Sequence, residues 1–144
     1  GIAEVERLAD RLERYGPAGT GTQRLHVHKL HSQLSTGEQR QAFLPPPAGA
    51  TKVVVATDIA ETSVTIPDVT LVIDGGLHRM LVCDERASHT PCLKTARISL
   101  AAAKQRAGRA GRVREGRCYH LYCAVEVAEA MCAAPTAEIH RVPL

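Results

Sequence analysis

Apolar residues recur every three to four positions through IAEVERLADRLERYG: Ile2, Val5, Leu8, Leu12 and Tyr15 fall on one side and charges on the other. That period predicts an amphipathic helix. GPAGTGT, residues 16–22, breaks the pattern and reads as a loop, while RLHVHKL, residues 24–30, alternates as a strand does. SQLSTGEQRQAF suits a second helix starting at Ser35 or Thr36, and LPPPAGA ends it because three prolines exclude regular structure. TKVVVATD and VTLVIDGG are nearly continuous β-branched runs, as expected of strands buried on both faces. LHRMLVCDERASHTPCLKTARI fits a β-hairpin excursion, SLAAAKQRAGR a helix, CYHLYC a strand and VEVAEAMCAA a helix, before APTAEIHRVPL leaves in an irregular segment.

Strands alternating with helices predict an α/β fold: a parallel β-sheet with helices on both sides. The chain opens directly on a helix without a capping residue, so the first strand of such a sheet is expected to be missing and the chain to be cut from something longer. Its 144 residues, 44% hydrophobic and 23% charged, suffice for one ordinary domain with a real core. No apolar run approaches the roughly 20 residues that span a bilayer. The expectation is an intracellular protein with no membrane partner, nucleus and cytoplasm being equally open.

Charge changes the picture more than composition does. The net charge is +3, yet Arg97 to Arg117 holds seven basic residues and one acid, 7 − 1 = +6, which leaves 3 − 6 = −3 for the rest. A basic patch on a slightly acidic body suits a polyanion: nucleotide phosphates, nucleic acid, or both. The five cysteines include no C-x-x-C pair. They read as free, mostly buried thiols of a reducing compartment. His26, His28 and His31 have no neighbouring carboxylate or cysteine in sequence to complete a ligand set, so no metal site is expected there.

Two stretches carry candidate chemistry. In KVVVATDIAETSVTIP, Thr57 and Asp58 stand where the strand ends, the place where ligands gather in parallel sheets. Asp58 and Glu61 have capping-box spacing for a short helix whose N–H groups would favour a phosphate. Thr57, Thr62, Ser63 and Thr65 add hydroxyls that contact sugar and phosphate without choosing a base. In QRAGRAGR, residues 105–112, a continued helix would put Gln105, Arg109 and Arg112 on one face and Arg106 on another. Gly108 and Gly111 would then allow a backbone or phosphate chain to approach closely. Two guanidiniums converging on one anion fit this pattern; so do a solvated basic face and an RG-rich loop touching RNA without sequence preference.

TDIAETSVTI and QRAGRAGR resemble motifs V and VI of the DEAH-box (DExH) family of superfamily 2 RNA helicases. LHSQLS, VIDGG and EIHRVPL resemble the segments before, between and after them, in the family's order and spacing. The resemblance implies a RecA-like parallel sheet between helices: residues 1–137 as the second RecA-like domain, and 138–144 as the start of a linker to a winged-helix domain. It implies ATP with Mg2+ in a cleft against the first RecA-like domain, and single-stranded RNA held by its backbone. By the same resemblance Arg109 and Arg112 are arginine fingers, and Gln105 places the phosphate or attacking water. Phe43 stacks on the base, Ser63 and Thr65 touch the nucleotide, and Asp68 stands near the ribose. Ser32, Thr57, Asp58 and Thr62 line the RNA.

Three departures from the family pattern stand out: Asp58 where many members carry Asn, Pro67 where many carry Asp, and Ala102 in place of a polar residue. A carboxylate at position 58 would repel RNA, and Asp68 is the neighbouring substitute for the acid lost at 67. No G-x-x-x-x-G-K-[ST] loop or DEAH-type acidic tetrad occurs in the chain, so the isolated chain is expected not to hydrolyse ATP. Two rival readings are a non-catalytic RNA-binding scaffold derived from a helicase and a DNA helicase.

Overall fold

The computed structural model describes residues 1–15, 24–83 and 91–135. The loop 16–22, the hairpin centre with Asp84, Glu85 and Arg86, and the exit segment with its 138–144 linker lie outside the described residues. The chain forms two compact units, Gly1–Asp68 and Val69–Leu144.

In the first unit, helix α1 (Ile2–Tyr15) precedes strand β1 (Arg24–Leu30), helix α2 (Thr36–Gln41), strand β2 (Ala50–Ala56) and the single turn α3 (Ile59–Thr62). β1 and β2 pair in parallel over seven positions, Arg24 opposite Ala50 through Leu30 opposite Ala56. The helical seam differs from the expected one. Val5 and Ala9 are buried with Val55, and Leu12, Val27 and Val53 pack around them. Leu8 remains 49% exposed. Val5, Ala9 and Leu12 follow i, i+4, i+7, and the small Ala9 sits in the seam where the bulkier Leu8 does not. Polar contacts fasten the same helix: Glu6 pairs with Lys29 and meets His31 Nε2 at 3.2 Å, and Asp10 meets Lys29 at 3.4 Å. α2 starts on a complete capping box. The Ser35 hydroxyl accepts from the Glu38 N–H, and the Glu38 carboxylate accepts from the Ser35 N–H.

The second unit contains strands β3 (Leu71–Asp74), β4 (Leu77–Cys83) and β5 (Pro91–Arg97), helix α4 (Leu100–Ala107), strand β6 (Arg117–His120) and helix α5 (Ala124–Ala130). β3 and β6 are parallel, and β4 and β5 form the expected antiparallel hairpin. Its core gathers Ile98, Ala103 and Met131, with Ala102, Tyr122 and Val127 around them. Both halves therefore have the α/β character read from the sequence.

Three expectations need correction. β3 is not buried on both faces: Leu71 is 48% and Ile73 64% exposed, and Asp74 is its one buried residue. β2 likewise buries only Val55 fully. Among the described side chains the four thiols are free but not buried, since Cys92 and Cys118 are partly covered and Cys123 and Cys132 exposed. The helix through QRAGRAGR stops at Ala107.

Candidate nucleotide and RNA interface

The first unit places its candidate residues at the carboxyl end of the β1–β2 pair. Ser32 is exposed two residues beyond β1, and Thr57 follows β2 directly. The Thr57 N–H donates to the Leu30 carbonyl at 3.0 Å, tying the two strand ends together. Asp58 then leads into α3, but no side-chain capping bond forms, so the Asp58–Glu61 box expected from sequence is absent. The reason is conformational: Asp58 adopts helical φ/ψ (−58°, −10°) rather than the extended backbone of a capping residue. α3 is one turn long and leaves Thr62, Ser63 and Thr65 exposed. The Thr62 and Ser63 hydroxyls lie 3.5 Å apart.

Phe43 and Asp68 stand elsewhere in this unit, and Lys52 joins their neighbourhoods. Its ammonium donates to the carbonyls of Ala42 (3.1 Å) and Leu44 (3.0 Å) and pairs with Asp68 at 2.7 Å. Nothing in the sequence marked Lys52, because a lysine at the head of an apolar strand ordinarily points to water.

The second unit builds the QRAGRAGR segment around a fixed helix. At its start the Ser99 hydroxyl accepts from the Ala102 N–H, while the N–H groups of Leu100 and Ala101 donate to the carbonyls of Cys132 and Ala133. Helix starts leave such donors unpaired, and all three are satisfied here. At its other end Arg106 donates to Asp74 Oδ1 (3.0 Å) and to the Leu77 carbonyl (3.2 Å). Asp74 is the hub of this region, with a side chain 1% exposed. It also accepts from the Gly76 N–H (2.9 Å) and the Tyr122 hydroxyl (3.1 Å), and His120 Nδ1 lies 3.6 Å from it. Burial pushes the Asp74 carboxyl upward, but the Gly76 N–H, Arg106 and Tyr122 outweigh burial and hold it below the ordinary carboxylate value. Burial and then the Asp74 charge push Tyr122 up to about 12.

Past Ala107 the chain turns. The Arg109 and Ala110 N–H groups donate to the carbonyls of Arg106 and Ala107, three residues back, and Gly111 takes the left-handed conformation (φ 85°). A Cβ on Gly116 would fall 2.4 Å from the Gly111 nitrogen. The close approach that glycine permits is thus between two parts of the same loop. The i, i+4, i+7 face proposed for Gln105, Arg109 and Arg112 does not exist as a helical face. Gln105 is exposed on α4, Arg109 is half-buried in the turn with its Nε donating to the Gln105 carbonyl at 3.2 Å, and Arg112 is exposed one residue after Gly111. Gly116 and Asp74 are residues that sequence reasoning missed. The signal for Asp74 was present: it is the sole acid in an apolar strand, followed directly by two glycines.

Among the described residues no three His, Cys, Asp or Glu side chains gather as a metal site. His26 and His28 instead bond to each other at 3.0 Å, and burial, with His26 and Lys52 nearby, lowers the His28 pKa.

Comparison with known proteins joins these separate observations. Residues 4–114 match the helicase conserved C-terminal domain. The whole chain is 40% identical to a human protein described as putative ATP-dependent RNA helicase DHX57, covering 10% of it. It is 42% identical to ATP-dependent RNA helicase dhx29 of Xenopus laevis, again over 100% of this chain and 10% of that protein. The crystal structure of the E. coli DExH-box NTPase HrpB superposes with a TM-score of 0.84 at 38% identity, covering 96% of this chain and 16% of that one. The chain thus spans about a tenth of the length of these two curated relatives. A family match through both TDIAETSVTI and QRAGRAGR, with relatives aligned over every residue, establishes that this chain belongs to the helicase C-terminal domain family, as a RecA-like domain of its DEAH-box RNA helicase branch.

Proposed function

We propose that this domain is the second RecA-like half of an ATP-dependent RNA helicase motor. It brings arginines to a triphosphate gripped, together with Mg2+, by the first RecA-like domain, and it carries one half of an RNA track. Arg109 and Arg112 stabilise charge on the transferring phosphoryl group, and Gln105 orients the phosphate or the attacking water. Phe43 stacks on the base, Asp68 approaches the ribose, and Ser63 and Thr65 touch the nucleotide. Ser32, Thr57 and Thr62 at the carboxyl end of the first parallel pair contact RNA backbone, with Asp58 beside them. The chain by itself does not turn over ATP, because phosphate loop and metal ligands lie on the other domain.

One observation carries this reading. Of the three arginines in QRAGRAGR, Arg106 is committed inward to Asp74, while Arg109 and Arg112 sit on the turn beyond the helix. Arginine suits the phosphate role because its planar fork is always charged and engages oxygens in pairs. In the full-length protein, Arg109→Ala is expected to lower kcat for RNA-stimulated ATP hydrolysis on the order of 10³-fold, with RNA affinity within a few-fold of the parent. Parental turnover in that variant sinks the assignment.

A further inference from the structure

Lys52 has an ammonium with three N–H donors and a side chain only 7% exposed. A cation so placed is unfavourable unless every donor is used and the charge is balanced. The Ala42 and Leu44 carbonyls take two of the donors, and the Asp68 carboxylate, 2.7 Å away, balances the charge as an ion pair. The partners are not scattered. Ala42 and Leu44 flank Phe43 on either side, just past the end of α2, where carbonyls lack helical partners and carry negative partial charge. Fixing the carbonyls before and after one residue fixes the backbone of that residue. The third partner is 24 positions further on from Leu44. One ammonium on β2 therefore sets the placement of Phe43 relative to Asp68, using nothing outside the first unit.

We propose that Lys52 is a positioning residue for nucleotide binding, holding Phe43 and Asp68 at the separation that a nucleoside's base and ribose require. The proposal rests on the reading of Phe43 and Asp68 as nucleotide contacts. It predicts a defect in binding rather than in phosphoryl transfer, because the residues it organises face the base and sugar and not the reacting phosphate.

The test uses the full-length protein and RNA-stimulated ATP hydrolysis. Lys52→Met keeps the stem and removes the three donors. It is expected to raise KM for ATP about tenfold, the scale of losing a partner that orients a ligand-contacting group, with kcat within about twofold. Lys52→Gln, which keeps two donors for the carbonyls, should recover part of the lost affinity, and it substitutes for Lys52→Met if that variant does not fold. Phe43→Ala should raise KM by itself, and adding Lys52→Met should then cost little more, since the residue being positioned is gone. A folded Lys52→Met with unchanged KM beside a defective Phe43→Ala overturns the positioning role alone. Unchanged KM in Phe43→Ala removes the nucleotide reading and the positioning role with it. A merely structural lysine would lower thermal stability and leave the KM-against-kcat split untouched.

Discussion

Lys52 in the first unit and Asp74 in the second are both charged side chains nearly removed from solvent, and they have opposite signs. Lys52 collects oxygens: two carbonyls and a carboxylate. Asp74 collects hydrogens from Gly76, Arg106 and Tyr122. The difference lies in the partners' own exposure. Asp68 opposite Lys52 is 30% exposed, although the oxygen that faces Lys52 is buried, whereas Arg106 opposite Asp74 is 15% exposed. In each case a buried charge fixes a loop that carries candidate ligand contacts: the segment around Phe43 in one unit, and the helix end before Arg109 in the other. A buried charge specifies geometry because its lost hydration is recovered in one arrangement of partners only.

The largest effects should come from breaking these hubs. Asp74→Ala removes the carboxylate that balances the Arg106 guanidinium and is expected to destabilise the second unit by about 3–5 kcal/mol. Lys52→Met leaves a carboxylate that is 30% exposed as a whole and should cost the first unit only about 1–2 kcal/mol. Denaturant unfolding of both variants measures the gap; equal losses would break the comparison. Next come two glycines with positive φ, Gly76 (68°) and Gly49 (76°). A Cβ on Gly76 would lie 2.4 Å from the Tyr122 ring, while one on Gly49 meets nothing within 4 Å. Gly49→Ala should therefore cost about 1–2 kcal/mol of backbone strain alone. Gly76→Ala should cost about 1–3 kcal/mol beyond that for forced repacking.

The smallest expected effect is in pH dependence, and it separates the two sides of the Asp74 hub. The Asp74 pKa is lowered on folding, so its contribution is present above the ordinary carboxylate value and lost as pH falls through the folded one. Tyr122 is raised to about 12. Its contribution is full below the unfolded tyrosine value of about 10 and is lost as pH rises from there towards about 12. Ultraviolet titration of tyrosinate should therefore show a late ionisation that Tyr122→Phe removes. Tyr122→Phe should also flatten the alkaline limb of stability while leaving an acid limb. An unchanged late titration in that variant assigns the shift to another tyrosine.

Much of this was legible in the sequence because it depends on local chemistry. Strand–helix alternation, the hairpin at residues 77–98 and the family motifs are read from residues close together in the chain. The end of α4 was legible too: Gly108 follows the last regular position, the usual signal for a helix stop, yet extending the period to Arg112 overrode it. Leu8 and Ala9 show a different limit. The apolar period located the helix correctly but not the seam, because the choice between a leucine and an adjacent alanine belongs to the sheet that receives them.

The sequence by itself determined the kind of elements, their order, the family, and the residues available for chemistry, since propensity, period and motif spacing act over a few turns of chain. Tertiary structure alone decided which charges are used internally. Arg106 turns inward because Asp74, 32 residues earlier, lies within hydrogen-bond distance of it. Lys52 is an anchor rather than a surface lysine only because three oxygens from distant segments meet its ammonium. Coulombic and hydrogen-bond energies depend on distances in space, and those distances are set by the packing of the whole unit.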